Sequence, residues 1–210
     1  MIIAPILPLI GEELGIADAA LGTLISAYSL MVGMFAILSG PVSDRVGRRR
    51  ILILGCLTMT AALILHAFVV GYYSFLFVRV FAGSAGGMLS GAAVSYIGDA
   101  FPYERRGWAT GWVMSGSAFG QIIGIPLGIV MASRWGFQSP FYMFAVTMAA
   151  TVLLLFYAVP QPDVRRTEHA LSVRKAASDY WDMLRRPEIA WAAIAFFLMF
   201  LGAVSYTHLT

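Results

Sequence analysis

Five stretches of this chain run for about twenty residues with no Asp, Glu or Lys, and only one of them holds an Arg: Ala20–Ser39, Ile51–Val70, Tyr73–Ile97, Trp108–Ser133 and Pro140–Val159. At 1.5 Å per residue, such a run is as long as a helix must be to cross the hydrocarbon core of a bilayer. A backbone in hydrocarbon has to satisfy its own N–H and C=O groups, so these runs are expected to be helices and not strands of an open sheet. The pattern predicts an all-α protein embedded in a membrane. Composition agrees: only 12% of the 210 residues are charged, against about a quarter in a soluble domain, and mean hydropathy is +0.80.

Two shorter apolar segments flank the five. Met1–Ile10 is too short to cross alone and is counted as a partial span 1, so that the five long runs become spans 2 to 6. Ile189–Ala203 starts a partial span 7. Both ends read as cut. Met1 opens directly on the apolar stretch, without the basic residues that begin a cleavable signal. The last seven residues, Val204–Thr210, read VSYTHLT. That is the translation of GTC TCT TAT ACA CAT CTG ACG, a transposase adapter used in preparing sequencing libraries, and it is expected to be foreign to the protein. The expected division is 1–160 for a six-helix bundle with an incomplete first helix, 161–187 for a central loop, 188–203 for a partial seventh helix and 204–210 for the adapter.

The charges sort by side. Twelve of the fourteen Lys and Arg lie between spans 2 and 3 (Arg45, Arg48, Arg49, Arg50), between spans 4 and 5 (Arg105, Arg106) or after span 6 (Arg165, Arg166, Arg174, Lys175, Arg185, Arg186). An even number of crossings separates these loops, so all fall on one side, and a basic excess marks the cytoplasmic side. The opposite side offers Arg134 with Glu12, Glu13 and Asp18. The net charge of +3 and the pI of about 9.2 therefore express topology and not a nucleic-acid partner. A bacterial inner membrane is the expected location. Cys56, the one cysteine, lies in an apolar run and says nothing of redox compartment. In the polar stretch 161–187, Ala177, Tyr180, Trp181 and Leu184 recur at helical spacing before Arg185 and Arg186, which predicts a short amphipathic helix on the inner membrane surface. For 161–173 a disordered tether is an equal reading.

The densest charge cluster interrupts the apolar pattern at AILSGPVSDRVGRRRIL, Ala36 to Leu52. Within it, Gly40-Pro41-Val42-Ser43-Asp44-Arg45-Val46-Gly47-Arg48-Arg49 resembles the signature GxLADRxGRK that the major facilitator superfamily carries between spans 2 and 3. Val42, Ser43 and Arg49 stand where the family usually has leucine, alanine and lysine. Gly40 would let span 2 approach a neighbour, and Gly47 would supply the tight turn into span 3. Asp44 is an anion suited to a helix N-terminus or an arginine. The resemblance implies a cytoplasmic latch between two halves. Asp99 and Glu104, at the inner end of span 4, are expected to pair with Arg45 or Arg48 in that cluster.

Span 4 begins LFVRVFAGSAGG, in which Arg79 and Gly83 match a family pattern of arginine, three residues, glycine; Ala82 replaces its usual glutamine. An arginine inside a span faces a water-filled cavity or a partner, or else snorkels to the interface. The resemblance implies a role in coupling or substrate contact, and Tyr28 and Gln121 are further candidates for that pathway. In span 5, Gly116, Gly120, Gly124 and Gly128 recur every fourth residue and form one face suited to close helix packing. Gly111, Gly120, Gly124 and Gly128 also follow the spacing of the family's antiporter motif, although Pro126 is one place late and Ile129 replaces its final glycine. Both readings of the row stay open. Finally, Arg45-Val46-Gly47 after span 2 and Arg134-Trp135-Gly136 after span 5 place Arg-x-Gly at the same point of two three-span units, the trace of an inverted repeat.

Between Ile51 and Gly98 the ionisable groups other than tyrosine are Cys56, His66 and Arg79, with no nucleophile–base pair and no metal-ligand spacing, so an enzyme is not expected. His66 reads as an interfacial or packed residue. No ring-forming filter suggests a channel. The resulting expectation is an all-α integral membrane bundle of two inverted three-helix repeats plus the start of a seventh helix. It would belong to a transporter that moves a small solute by alternating access, in the direction of export, without a cofactor and driven by an ion gradient, most often of protons. A C-terminal half of the same protein would complete it. Spans 2 to 6 hold no carboxylate, so a proton-carrying acid would lie elsewhere. A non-transporting sensor and an uptake permease on the same fold are the alternatives.

Overall fold

The structure, a computed structural model, describes residues 3–161, 178, 181–183 and 185–207. Among the described residues, six helices belong to the first of two compact units, residues 1–168. They are α1 (Ile3–Leu14), α2 (Asp18–Val46), α3 (Arg48–His66), α4 (Tyr72–Ala100), α5 (Tyr103–Trp135) and α6 (Ser139–Ala158). The helices α2 to α6 are each long and apolar enough to cross a membrane. At 12 residues, α1 is about 18 Å long and too short to do so.

The helices outrun the apolar runs that predict them. Most notably α2 does not stop at Ser39: it continues through Gly40 and Pro41 to Val46, and the expected loop shrinks to one residue, Gly47, before α3 begins. Gly47 has φ +109°, a conformation that side-chain-bearing residues rarely adopt, and its N–H still donates to the Ser43 carbonyl at 2.9 Å. Gly136 repeats the device after α5 with φ +84°. Both Arg-x-Gly segments thus end a long helix on a left-handed glycine, and α6 starts three residues after the second.

Packing centres on α4, which lies against α2 on one side and α3 on the other, while α6 lies against α3. The α2–α4 approach is backbone to backbone. A Cβ added at Gly83 would sit 2.6 Å from the Tyr28 carbonyl oxygen, and one at Gly87 2.5 Å from that of Val32 and 2.6 Å from the Phe35 Cβ. One at Gly91 would overlap the Ser39 hydroxyl. These three glycines are four residues apart and form one stripe. On the α3 side, a Cβ added at Gly55 would sit 2.9 Å from the Cγ of Leu89.

An apolar cluster closes the end of the unit away from Gly47. Ile6, Leu7 and Ile10 of α1 join Leu24 of α2, Phe75 and Val78 of α4, Ala132 of α5 and Phe141 of α6. Much of α5 is left uncovered, including Trp112, Phe119 and Ile122, which are 65%, 66% and 71% exposed. The row of span-5 glycines is accordingly divided. Gly124 and Gly128 are buried, but Cβ atoms at Gly111, Gly116 and Gly120 would meet nothing within 4 Å. Close packing through the whole row is not seen among the described residues.

The second unit, residues 169–210, contains α7 (Pro187–Thr207). It continues past Ala203, where the partial span was expected to end. Of the expected amphipathic helix, Trp181–Met183 is helical and the Arg185 guanidinium lies 5.5 Å from the Trp181 ring. Ala177, Tyr180 and Leu184 lie outside the described residues, as do most of 161–187 and residues 208–210.

The two glycine rows predict opposite outcomes for one substitution. Alanine favours a helix over glycine by about 1 kcal/mol where space is open, so Gly116→Ala should be neutral or slightly stabilising. Gly87→Ala should instead destabilise by about 1–3 kcal/mol, because the clash is with a carbonyl that moves only if α2 moves. Thermal unfolding of the two variants in detergent checks the sign of each.

Candidate functional site

The charged cluster is built around one side chain. Arg48 opens α3 immediately after Gly47, and its guanidinium turns back across the ends of α2 and α4. Its Nε donates to Asp99 Oδ2 at 2.7 Å, and its Nη1 donates to the Gly40 carbonyl at 3.0 Å and to the Ser43 hydroxyl. Its Nη2 pairs with Asp44. A planar fork of five donors is the one side chain able to serve four partners in this way. Ser43 is fully buried, and its hydroxyl donates a hydrogen bond to the Gly40 carbonyl at 2.8 Å. Three helix ends, those of α2, α3 and α4, therefore meet at a single cation.

Arg49, the next residue, performs the same service for α6. It donates to the carbonyls of Leu155, at 3.3 Å, and Phe156, and lies 5.5 Å from the Phe156 ring. The last carbonyls of a helix lack intrahelical donors and carry partial negative charge, so a guanidinium there both bonds and neutralises. Arg106 does this for α4, donating to the Gly98 carbonyl at 2.6 Å and to that of Phe101 at 3.2 Å. The exit from α6 is also tied down: Tyr96 donates to the Pro160 carbonyl at 3.0 Å, and the Gln161 side chain covers Gly47, 2.9 Å from where a Cβ would be.

Of the expected pairings, Asp99 with Arg48 is formed. Arg45 and Glu104 are exposed and make no ion pair among the described residues. Their places account for this. Arg45 lies on the outer flank of the last turn of α2, and Glu104 in the first turn of α5, where a carboxylate favours the helix dipole without a cation.

Arg79 is 5% exposed and points into α2, so it does not snorkel. Its Nε donates to the Leu24 carbonyl at 3.3 Å, and its guanidinium lies 4.2 Å from the centre of the Tyr28 ring. A cation over an aromatic face gains about 2 kcal/mol when desolvated, which offsets part of the burial. Gly83, one turn along, lets the Tyr28 backbone approach. Tyr28, Arg79 and Gly83 thus converge on one spot of the α2–α4 seam. Gln121 is not part of it: it is exposed on α5 and bonds the Ser117 carbonyl of its own helix at 3.4 Å.

The sequence reading missed Ser43, the targets of Arg49 and Arg106, and the continuation of the Gly83 stripe to Gly87 and Gly91. The fourfold spacing of those glycines was a usable signal. His66 was read as interfacial or packed; it is packed, 2% exposed, between Phe75 and Phe141.

The profile of the Major Facilitator Superfamily matches residues 1–210. Similar proteins include the uncharacterized MFS-type transporter YceJ of Bacillus subtilis, 24% identical over 201 residues, which cover 96% of this chain and 50% of that protein. The multidrug resistance protein MdtG of Serratia proteamaculans is 30% identical over 166 residues, covering 76% of this chain and 40% of MdtG. That of Proteus mirabilis is 29% identical over 165 residues, with 76% and 41% covered. Among solved structures, a peptide transporter, POT, in complex with alafosfalin has the same fold, with a TM-score of 0.65 at 22% identity, over 88% of this chain and 39% of POT. The chain spans half or less of the length of each of these proteins. Its five apolar helices and its relatives make it an integral membrane protein, and it belongs to the Major Facilitator Superfamily.

Proposed function

We propose that this chain forms the N-terminal half of a secondary active transporter that exports small drug-like solutes by alternating access, driven by a proton gradient. The observation that carries the reading is the Arg48 cluster, which gathers the ends of α2, α3 and α4 at one end of the bundle. Contacts of this kind can be made in one conformation and released in another, because each is a discrete, directional bond. The basic loops would put that end in the cytoplasm, where the cluster would act as the inner gate. The MdtG relatives, multidrug resistance proteins, favour export and a drug-like substrate.

In this reading a second six-helix half covers the exposed face of α5, and the substrate path runs between the halves near the bilayer midplane. Tyr28 and Arg79 would border that path on this side. The glycine face of α5 around Gly111 and Gly120, open here, would let the other half approach. The coupling carboxylate would come from outside spans 2 to 6.

Two variants separate gating from folding. Asp44 is 42% exposed, so its pair with Arg48 should contribute under about 1 kcal/mol to stability. Asp44→Asn in the full-length protein is expected to insert normally and to cycle poorly; normal dye efflux from this variant would sink the gate. Arg48→Ala removes all four bonds and is expected to lower stability by about 2–3 kcal/mol as well, read as a drop in unfolding temperature in detergent.

Proton coupling has its own test. In proteoliposomes holding a lipophilic dye, an imposed proton gradient should accelerate efflux, and a protonophore should return it to the rate of empty liposomes. Efflux unaffected by the protonophore would exclude a proton-driven exporter. Correct insertion with no flux of any dye in a broad panel would favour the non-transporting sensor.

A further inference from the structure

At the end of the unit away from the charged cluster, the last residue of α3 is a buried histidine with a nitrogen to spare. His66 is 2% exposed. Its ring is stacked on Phe141 of α6, centroids 4.5 Å apart at 15°, and meets the edge of Phe75 of α4 at 5.7 Å and 87°. Nδ1 lies 2.7 Å from the Ala62 carbonyl oxygen. A carbonyl can only accept, so Nδ1 carries the proton, and in the neutral ring Nε2 is then a bare lone pair. That nitrogen has no hydrogen-bond partner, the one such buried side-chain atom among the described residues. A buried polar atom left unmatched is costly and calls for an explanation.

We propose that His66 Nε2 is a proton-binding site, and that binding a proton there opens the junction of α3, α4 and α6. The proposal rests on the reading of the protein as a transporter that changes conformation. The step is simple in its balance: a proton from bulk water forms an N–H bond with the Nε2 lone pair, and the ring becomes an imidazolium. In the closed junction that new donor would have no acceptor. The face of Phe141 would attract the cation, but an aromatic face replaces only a small part of the lost hydration. The protonated ring is satisfied once the junction parts and water reaches Nε2. Protonation and opening therefore favour each other.

The charges around the site act in the same direction. Arg79, on α4, is a buried cation that bonds the Leu24 carbonyl and faces the Tyr28 ring, so it offers no negative charge. Residues 139–158 of α6 include no Asp, Glu, Lys, Arg or His, and Tyr142 and Tyr157 of that helix are 49% and 83% exposed. Of the tyrosines that begin α4, Tyr73 is exposed and Tyr72 shares its hydroxyl with Thr23 at 2.8 Å. Glu12 and Glu13 of α1 and Arg134 of α5 are exposed. No described carboxylate stands ready to neutralise an imidazolium inside the closed junction.

The test reads conformation and not flux, so it can fail while proton-driven export stands, and the reverse. Spin labels at Val70→Cys and Tyr142→Cys, in a Cys56→Ala background of the full-length protein in lipid vesicles, report the separation of the two sides of the junction. The expected result is a longer-distance population that grows as pH falls from about 7 to about 4, because the closed junction resists the charged ring, and that is lost in His66→Gln. The same growth in His66→Gln, or none in the parent, overturns the proposal. Should His66→Gln fail to insert, histidine nitrogen NMR of the full-length protein with every histidine but His66 replaced by Gln decides. Protonation of His66 with the midpoint of the distance change supports the site, and a ring that stays neutral through that change overturns it.

Discussion

Lipid offers helices no hydrophobic reason to associate, since an apolar side chain is as well solvated by acyl chains as by another helix. What holds this bundle together must be close contact and polar bonds, and the contact on which the rest depends is the stripe Gly83, Gly87 and Gly91 of α4 against α2. Without side chains there, the backbones approach until carbonyls of α2 lie where Cβ atoms would be. That approach brings Tyr28 over the guanidinium of Arg79. It also sets the ends of α2 and α4 close enough for Arg48 to bond Gly40 and Asp99 at once. A wider α2–α4 gap would forfeit both.

Carbonyls in the last turns of α4 and α6, which lack intrahelical donors, receive them from Arg106 and Arg49, and Arg48 bonds the Gly40 carbonyl two turns before the end of α2. An arginine run read from sequence as a topology signal is therefore also a set of helix caps. The two roles do not compete: the residue that keeps a loop on one side of the membrane is the residue long enough to reach a neighbouring helix end.

Much of this was legible in the residues. The length of each apolar run gave the helices, Gly47 was legible as the turn into α3, and the charged signature gave the family; the Arg-x-Gly recurrence, legible as an inverted repeat, also marks the second break at Gly136. The helix ends were not legible, because polar Ser43, Asp44 and Arg45 extend α2 as readily as apolar residues once Arg48 bonds its last turns. Nor could spacing decide which glycine row had a partner. The rows of α4 and α5 have the same fourfold repeat, and only the tertiary arrangement fills one and leaves Gly111, Gly116 and Gly120 open. Arg79 and His66 were visible as odd residues in apolar spans, but burial is a property of neighbours far away in sequence, Tyr28 in one case and Phe141 in the other.

The two ends of the bundle are closed by different physics, and this bears on how one could open without the other. The Gly47 end is closed by directional bonds of partly exposed groups, each weak enough alone to be exchanged for water. The opposite end is closed by burial of Ile6, Ile10, Phe75 and Phe141, which yields only when apolar surface is uncovered together. Apolar packing of that kind has no internal trigger, since nothing in it responds to an ion or a voltage. Stacked on Phe141 of that cluster is a group whose charge changes near neutral pH, the buried imidazole of His66. A cluster that must open on a signal needs a member whose burial becomes unfavourable when the signal arrives, and an unpartnered nitrogen between two aromatic rings meets that requirement.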